Sequence, residues 1–387
     1  MPSPASDQRI GGLNRRTVLG SAAAGLGTAL LASCRGGAGP GAGSTPSSTS
    51  GGRPRVRWQM ATSWPQALDT MFGAAETVCQ RVRELSEGRF DIRPFASGEL
   101  VPGLEVMEAV GSGAVSCGHT ASYYYLGKNS AFAFATTLPF GLTAQQQNAW
   151  LYKGGGNEVV DRLYSDHGIK AFPAGNTGAQ MGGWFKRKVE ALSDLQGLKM
   201  RIPGLGGKVM AELGVNVQIL PGGEIYLALE RGAIDAAEWT GPYDDTKLGL
   251  NRAASFYYYP GWWEPGPTMH LLVNRSAYDK LPADYQAILD VACRDANLSM
   301  LSNYEVRNSQ ALGALLKGGT ELVPYSAEIF KIAQEVAFQL YADFAANNPE
   351  FQRIYGDWRQ FRRQIYSWNR ENELAFSSFA FEQREEA

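Results

Sequence analysis

Two periods of apolar residues alternate along the chain. Val56–Ala61 is a short apolar–polar run, and from Asp69 to Glu87 the period changes. There Phe72, Ala75, Val78, Val82 and Leu85 recur every three or four residues, the stripe of a helix with one buried face. Gly88 stands where such a helix ends. Phe90–Phe95 reads as the next strand, Leu104–Val110 as a short helix, and Ala114–Gly118 as a third strand. The same rhythm returns with strands at Ile169–Phe172, Met181–Lys186, Lys199–Ile202, Val215–Leu220, Ile234–Trp239 and Met269–Val273. Helices at Lys208–Leu213 and Ile225–Arg231, stopped by Gly214 and Gly232, separate three of them. Beyond Val273 the pattern is mostly helical. Strands alternating with helices of this length predict an α/β fold built on parallel sheet.

A length of 387 residues exceeds what one hydrophobic core usually supports, so two lobes are expected. With 44% hydrophobic and 19% charged residues, the composition is that of a globular protein. The formal net charge is −2, with no basic stripe, so nucleic acid is not an expected partner. Near the end, Phe351, Tyr355, Trp358, Phe361, Ile365 and Trp368 lie three or four apart. A helix with that stripe buries it on its own lobe or on a second subunit.

The first fifty-odd residues break the pattern. Arg15-Arg16 precedes an apolar stretch rich in small residues, Thr17–Ala32, which is too short for a comfortable membrane span. A twin-arginine pair before such a stretch reads as an export signal over residues 1–33, addressed to the periplasm. Leu31-Ala32-Ser33-Cys34 looks like a lipobox, in which Cys34 is lipidated after cleavage; the alternative is ordinary cleavage near Ala32. Residues 34–54 are Gly, Ser, Pro and Ala-rich, a solvated tether suited to a lipid anchor. One acid (Asp7) and three bases (Arg9, Arg15, Arg16) precede Cys34, so cleavage there takes the net charge from −2 to −4. Cys79, Cys117 and Cys293 remain, as one disulfide and a thiol or as three buried thiols.

Catalytic templates are missing from the sequence: H-E-x-x-H, G-x-S-x-G and Walker A do not occur. Gly204-Leu205-Gly206-Gly207-Lys208 lacks the spacing and the hydroxyl of a phosphate loop and reads as a turn opening a helix. His119, His167 and His270 are scattered, without partners at a telling spacing. Arg201 ends a short strand just before Pro203-Gly204, where α/β sheets present ligand-binding residues. It is either a fork for a carboxylate or a surface arginine at a strand end. Glu238-Trp239 ends an apolar run, and Trp262-Trp263-Glu264-Pro265-Gly266 repeats the pairing of acid and aromatic, which suits a hard cation in a walled pocket. Tyr123-Tyr124-Tyr125 and Tyr257-Tyr258-Tyr259 are aromatic clusters near loops, serving as pocket walls or as ordinary packing.

These motifs converge on a family. Leu192–Arg201 (LSDLQGLKMR) followed by Ile202-Pro203-Gly204, and Glu224–Trp239 (EIYLALERGAIDAAEW), resemble the signatures of TRAP-transporter substrate-binding proteins of the DctP type. The resemblance runs from Arg57 to the C-terminal helices, and Asn176–Phe185 (NTGAQMGGWF) looks like the subgroup that binds 2-oxo and 2-hydroxy monocarboxylates with a metal ion.

The resemblance implies an α/β two-lobed periplasmic binding-protein fold with a hinge and a ligand cleft. Lobe I is expected at 55–178 and 268–316, lobe II at 179–267 and 317–348, and a helical extension at 349–387, exchanged between the subunits of a homodimer. Arg201 falls on the arginine that clamps the ligand carboxylate. Gln180 matches a contact to both ligand and cation, and Glu238, Glu264 and the Trp239 carbonyl match cation ligands. Tyr123, Tyr124, Trp239 and Asn176 fall on the ligand pocket. Oxygen ligands of this kind suit Na⁺ or Ca²⁺. The implied function is capture of a small carboxylate for TRAP membrane permease subunits, without catalysis and with membrane attachment only through lipid. The alternatives are a binding protein for another organic anion or a polyol (mannitol or chloroaromatic type), a sensor partner, and a secreted hydrolase or lyase using Glu238 and Glu264.

Overall fold

The computed structural model describes residues 53–382. The export signal, Cys34 and the tether up to Gly52 lie outside the described residues, as do the last five. Among the described residues, eleven strands form two sheets. The first sheet holds β1 (Val56–Thr62), β2 (Phe90–Phe95), β3 (Cys117–Thr120), β4 (Ile169–Asn176) and β10 (Thr268–Asn274), in the order β2-β1-β3-β10-β4. The second holds β5 (Trp184–Phe185), β6 (Lys199–Arg201), β7 (Asn216–Gln218), β8 (Ala236–Ala237), β9 (Phe256–Tyr259) and β11 (Glu321–Pro324), in the order β11-β9-β5-β8-β6-β7. The chain therefore crosses between the sheets three times: after β4, after β9, and between β10 and β11.

The α/β fold built on parallel sheet is present, with two antiparallel exceptions. β10 runs antiparallel to β3 and β4, and β5 antiparallel to β8 and β9. Both exceptions follow from the crossings. β5 begins the first passage into the second sheet and β10 ends the return, so neither is fed by a helical crossover that enforces parallel pairing. The remaining pairs, β1–β2, β1–β3, β6–β7, β6–β8 and β9–β11, are parallel.

The Met71–Leu85 helix buries Ala75, Val78 and Val82, which pack with Trp58, Phe90 and Leu271 under the first sheet, while its Phe72 packs with Trp64 and Leu68 in a separate cluster. The third crossing is made by a single 35-residue helix, Ala283–Lys317. At 1.5 Å per residue it is about 52 Å long, enough to run past both sheets. It packs on the Met71–Leu85 helix and β4 of one lobe and on the Pro242–Leu248 helix of the other.

The C-terminal aromatic stripe divides. Phe351, Ile354 and Trp358 of the Pro349–Asn369 helix are buried against this chain's own residues, Phe351 and Trp358 against Phe134. Trp368 is 61% exposed, and Leu374, Phe376, Phe379 and Phe381 beyond it are exposed too. Cys79, Cys117 and Cys293 are free and buried together in the core beneath the first sheet, which selects three thiols over a disulfide. Among the described residues, no helix is long and apolar enough to cross a membrane.

Candidate functional site

The first and second crossings run side by side. Thr177 N donates to Pro267 O (3.2 Å) and Gln180 N to Glu264 O (3.1 Å). Asn176, at the end of β4, ties them together: its Nδ2 donates to Gly266 O (3.1 Å) and Thr268 Oγ1 (3.3 Å), and its Oδ1 accepts from Gly178 N (2.9 Å). The side chain of Asn176 is thus engaged within the hinge; Gln180 Nε2 also donates there, to Thr177 Oγ1 (3.1 Å), which leaves its Oε1 without a partner.

Gln180 and Glu264 lie on these paired segments, and the ends of β6 and β8 bring Arg201 and Glu238 beside them. Arg201 donates through Nε to Leu220 O (3.1 Å) and through Nη1 to Glu238 O (2.9 Å), and pairs with Glu238 Oε1. Its guanidinium lies 5.0 Å from the Trp239 ring, in cation–π range. Gly222 is what lets that indole lie flat, since a Cβ there would stand 2.6 Å from Trp239 Cη2. From the other lobe come Tyr123 and Tyr124, edge to face at 5.0 Å, on the short turn after β3. A cavity of about 330 Å³, lined by both tyrosines with Ile202, Gly204 and Lys208, opens beside them.

The cluster is closed. Arg201 and Glu238 are 1% exposed, Glu264 3% and Gln180 4%. Burial pushes both carboxyls up, with Arg201 opposing in each case, and the charge of Glu238 adds to the rise at Glu264. Four buried polar atoms in this cluster have no protein partner: Arg201 Nη2, Gln180 Oε1, Glu238 Oε2 and Glu264 Oε2. Leaving such atoms unpaired costs about 1–3 kcal/mol each, more for charged ones, so a site holding four of them is built for something else. The chemistry of the set is one guanidinium donor facing three hard oxygen acceptors. That fits an anionic ligand at Arg201 and a hard cation among the oxygens. It does not fit zinc, since among the described residues no group of three or more His, Cys, Asp or Glu side chains is placed to hold a metal ion.

The bacterial extracellular solute-binding protein family 7 (DctP) matches residues 60–348. The chain belongs to this family. A monocarboxylate 2-oxoacid-binding periplasmic protein of Nostoc is 58% identical over 368 residues, covering 95% of this chain and 99% of that one. Among solved structures, a TRAP transporter solute-binding protein of Bordetella bronchiseptica, a mixed-occupancy dimer with copurified calcium and picolinate in a bound active site versus an apo site, matches with a TM-score of 0.84 and 45% identity, covering 85% of this chain and 98% of that one. One from Pseudoalteromonas atlantica, with bound sodium and pyruvate, has a TM-score of 0.82 and 38% identity, covering 86% and 100%. Family 7 members bind solutes rather than transform them, which sets aside the hydrolase or lyase reading of Glu238 and Glu264.

Sequence reading missed one group behind this cluster. Asp244 and Asp245, at the start of the Pro242–Leu248 helix, are fully buried. In sequence they look like solvent-facing acids in a first helical turn, and nothing in their local pattern marks them otherwise.

Proposed function

We propose that this protein is the extracytoplasmic component of a TRAP transporter that captures a small 2-oxo or 2-hydroxy monocarboxylate with Na⁺ or Ca²⁺ and delivers it to membrane permease subunits. The observation that carries the reading is the set of four unpartnered buried atoms, one guanidinium nitrogen and three oxygens, within one closed cluster. Arg201 Nη2 would take the ligand carboxylate, with Nε and Nη1 holding the fork still. Gln180 Oε1, Glu238 Oε2, Glu264 Oε2 and the Trp239 carbonyl would hold the cation. A bound cation supplies charge neutralisation and a chelation partner for the two oxygens of a 2-oxo acid. Tyr123, Tyr124 and the Trp239 ring would wall the ligand from water. Asn176 fits a hinge role better than a direct ligand contact.

Because the cluster is closed in this structure, ligand reaches it only when the lobes part. The lobes are proposed as 55–178 with 268–316 and 179–267 with 317–348. The Nostoc and Pseudoalteromonas relatives support the ligand class, and the Bordetella and Pseudoalteromonas structures the two cations. Export through Arg15-Arg16, with lipidation at Cys34, accounts for the leader and its tether. Exposed Trp368, Leu374, Phe376, Phe379 and Phe381 are suited to a second subunit, and the Bordetella relative is a dimer.

Thermal-shift titration of the mature chain tests the ligand class. Pyruvate and lactate are expected to raise the melting temperature only when Na⁺ or Ca²⁺ is present. A rise with mannitol or a chloroaromatic acid, and none with any 2-oxo or 2-hydroxy acid, would overturn it.

A further inference from the structure

Glu238 and Trp239 are followed by the turn Thr240-Gly241, and that turn hangs on one carboxylate. Asp245 Oδ1 accepts from Thr240 N and Gly241 N, both at 3.1 Å, while its own N donates back to Gly241 O (2.9 Å). The other oxygen, Oδ2, accepts from Trp184 Nε1 (2.9 Å) and Tyr257 OH (2.7 Å). Those two rings stack at 4.0 Å in the centre of the second sheet, fully buried. The anchor is therefore rigid, and the turn is fixed to it at both successive amides. The turn reaches Gln180's segment as well, since Met181 N donates to Thr240 O (3.2 Å).

A carboxylate with four donors, 1% exposed and without a cationic partner, is a costly thing to bury for packing alone. Asp245 has no such partner, and its charge is felt at Glu238. Metal sites commonly fix their ligands through an outer layer of hydrogen-bonded groups, and its charge adds to the attraction for the ion.

We propose that Asp245 is the positioning residue of the cation site: it holds the Glu238–Gly241 turn in register and sets fixed negative charge behind it. This rests on the reading of the cluster given under Proposed function. Asp245 touches neither ligand nor ion; it acts through the turn.

The test is calcium titration of the folded mature chain at fixed pyruvate, by calorimetry and by the indole ¹⁵N–¹H signal of Trp184. Asp245→Asn keeps the shape and removes the charge and one acceptor. It is expected to weaken Ca²⁺ affinity about 10–100-fold, the usual effect of losing an outer partner, with pyruvate binding largely recovered at saturating Ca²⁺. The Trp184 indole signal should shift when Ca²⁺ is added to the wild type. Tyr341→Phe, which removes a buried hydroxyl bonded to Pro139 O on the far packing of the C-terminal helices, serves as the control for lost stability and should leave Ca²⁺ affinity unchanged. Wild-type Ca²⁺ affinity in Asp245→Asn overturns the proposal, as does an equal loss in Tyr341→Phe. If Asp245→Asn does not fold, the double variant Trp184→Phe with Tyr257→Phe frees the carboxylate from its anchor; unchanged Ca²⁺ affinity there also overturns it. A wild type that binds pyruvate without any cation refutes the site reading instead, and is seen before a variant is made.

Discussion

Replacing Arg201 separates what the guanidinium does for the ligand from what it does for the fold. Two of its nitrogens are committed inward, to Leu220 O and to Glu238, and only Nη2 is free for a ligand. A lysine keeps the charge but offers one nitrogen, which cannot serve Leu220 O, Glu238 and a carboxylate together. A charge-assisted hydrogen bond is worth about 1.5–3 kcal/mol. Arg201→Lys is therefore expected to weaken monocarboxylate binding by roughly 10–150-fold, at about 1.4 kcal/mol per decade. Arg201→Ala goes further and strands the buried Glu238. Removing one partner of a buried pair costs about 3–5 kcal/mol, a ceiling here because the Glu238 carboxyl, already pushed up by burial, then takes a proton. The expected pattern is a large affinity loss with nearly wild-type stability in the lysine variant, and loss of both in the alanine variant. Calorimetry with pyruvate in Ca²⁺, beside urea unfolding, reads the two effects separately. Wild-type affinity in Arg201→Lys would refute the assignment of Nη2 to the ligand and leave Arg201 a structural partner of Glu238.

Acid should destabilise the body through His119 and His270, which burial holds down at about 4 and about 3. Their folded values lie below the unfolded 6.5, so the stability is fully present above pH 6.5 and is lost as pH falls toward the folded values. Between pH 6.5 and 4 each accounts for about 3 kcal/mol, and His270→Gln should flatten the fall of unfolding free energy over that window; a parallel curve would exclude it. In a Cys34→Ser background, Cys79, Cys117 and Cys293 should resist a thiol reagent in the native state and titrate as three on unfolding, since burial raises each thiol; fewer than three would reveal a disulfide. Light scattering on the mature chain should give a dimer at micromolar concentration, and a chain ending at Asn369, which lacks the exposed Leu374, Phe376, Phe379 and Phe381, should weaken it; a monomeric intact chain refutes the interface.

What sequence made legible was local. The stripe of the Met71–Leu85 helix, the strand Phe90–Phe95 and the strand-end positions of Arg201 and Glu238 depend on residues within a few places of one another. Elements set by distant partners were misjudged. Met181–Lys186 and Ile234–Trp239 read as six-residue strands, but β5 and β8 pair over two residues each, because the hinge interrupts one and the Glu238–Gly241 turn the other. Tyr257–Tyr259 read as an aromatic cluster near a loop, yet it lies in β9, in the second sheet between β5 and β11, and β11 itself was not foreseen. Asp245 escaped for the same reason: its partners Trp184 and Tyr257 lie 61 and 12 residues away, and only the assembled sheet places them under it.

The charges of the cluster explain why an acid and a cation belong to one site. Apart from Asp245 behind the turn, Arg201, Glu238 and Glu264, if all ionised, sum to −1 in a region closed to water. Adding a monocarboxylate alone would make it −2, with no aqueous screening to absorb the repulsion. Without a ligand, burial favours the neutral acids, and both carboxyls sit above their ordinary range, Glu264 also through the charge of Glu238. A calcium ion with a monocarboxylate brings the sum to zero, and sodium with the same acid returns it to −1. Each partner thus lowers the cost of burying the other, and by linkage their affinities must rise together by the same factor. With the same cation, a dicarboxylate leaves one more negative charge than a monocarboxylate and presents a second anion to apolar walls of tyrosine and tryptophan. Preference for a single carboxylate then follows from the charge already buried around Arg201, a local effect that the chain's formal net charge of −2 does not supply.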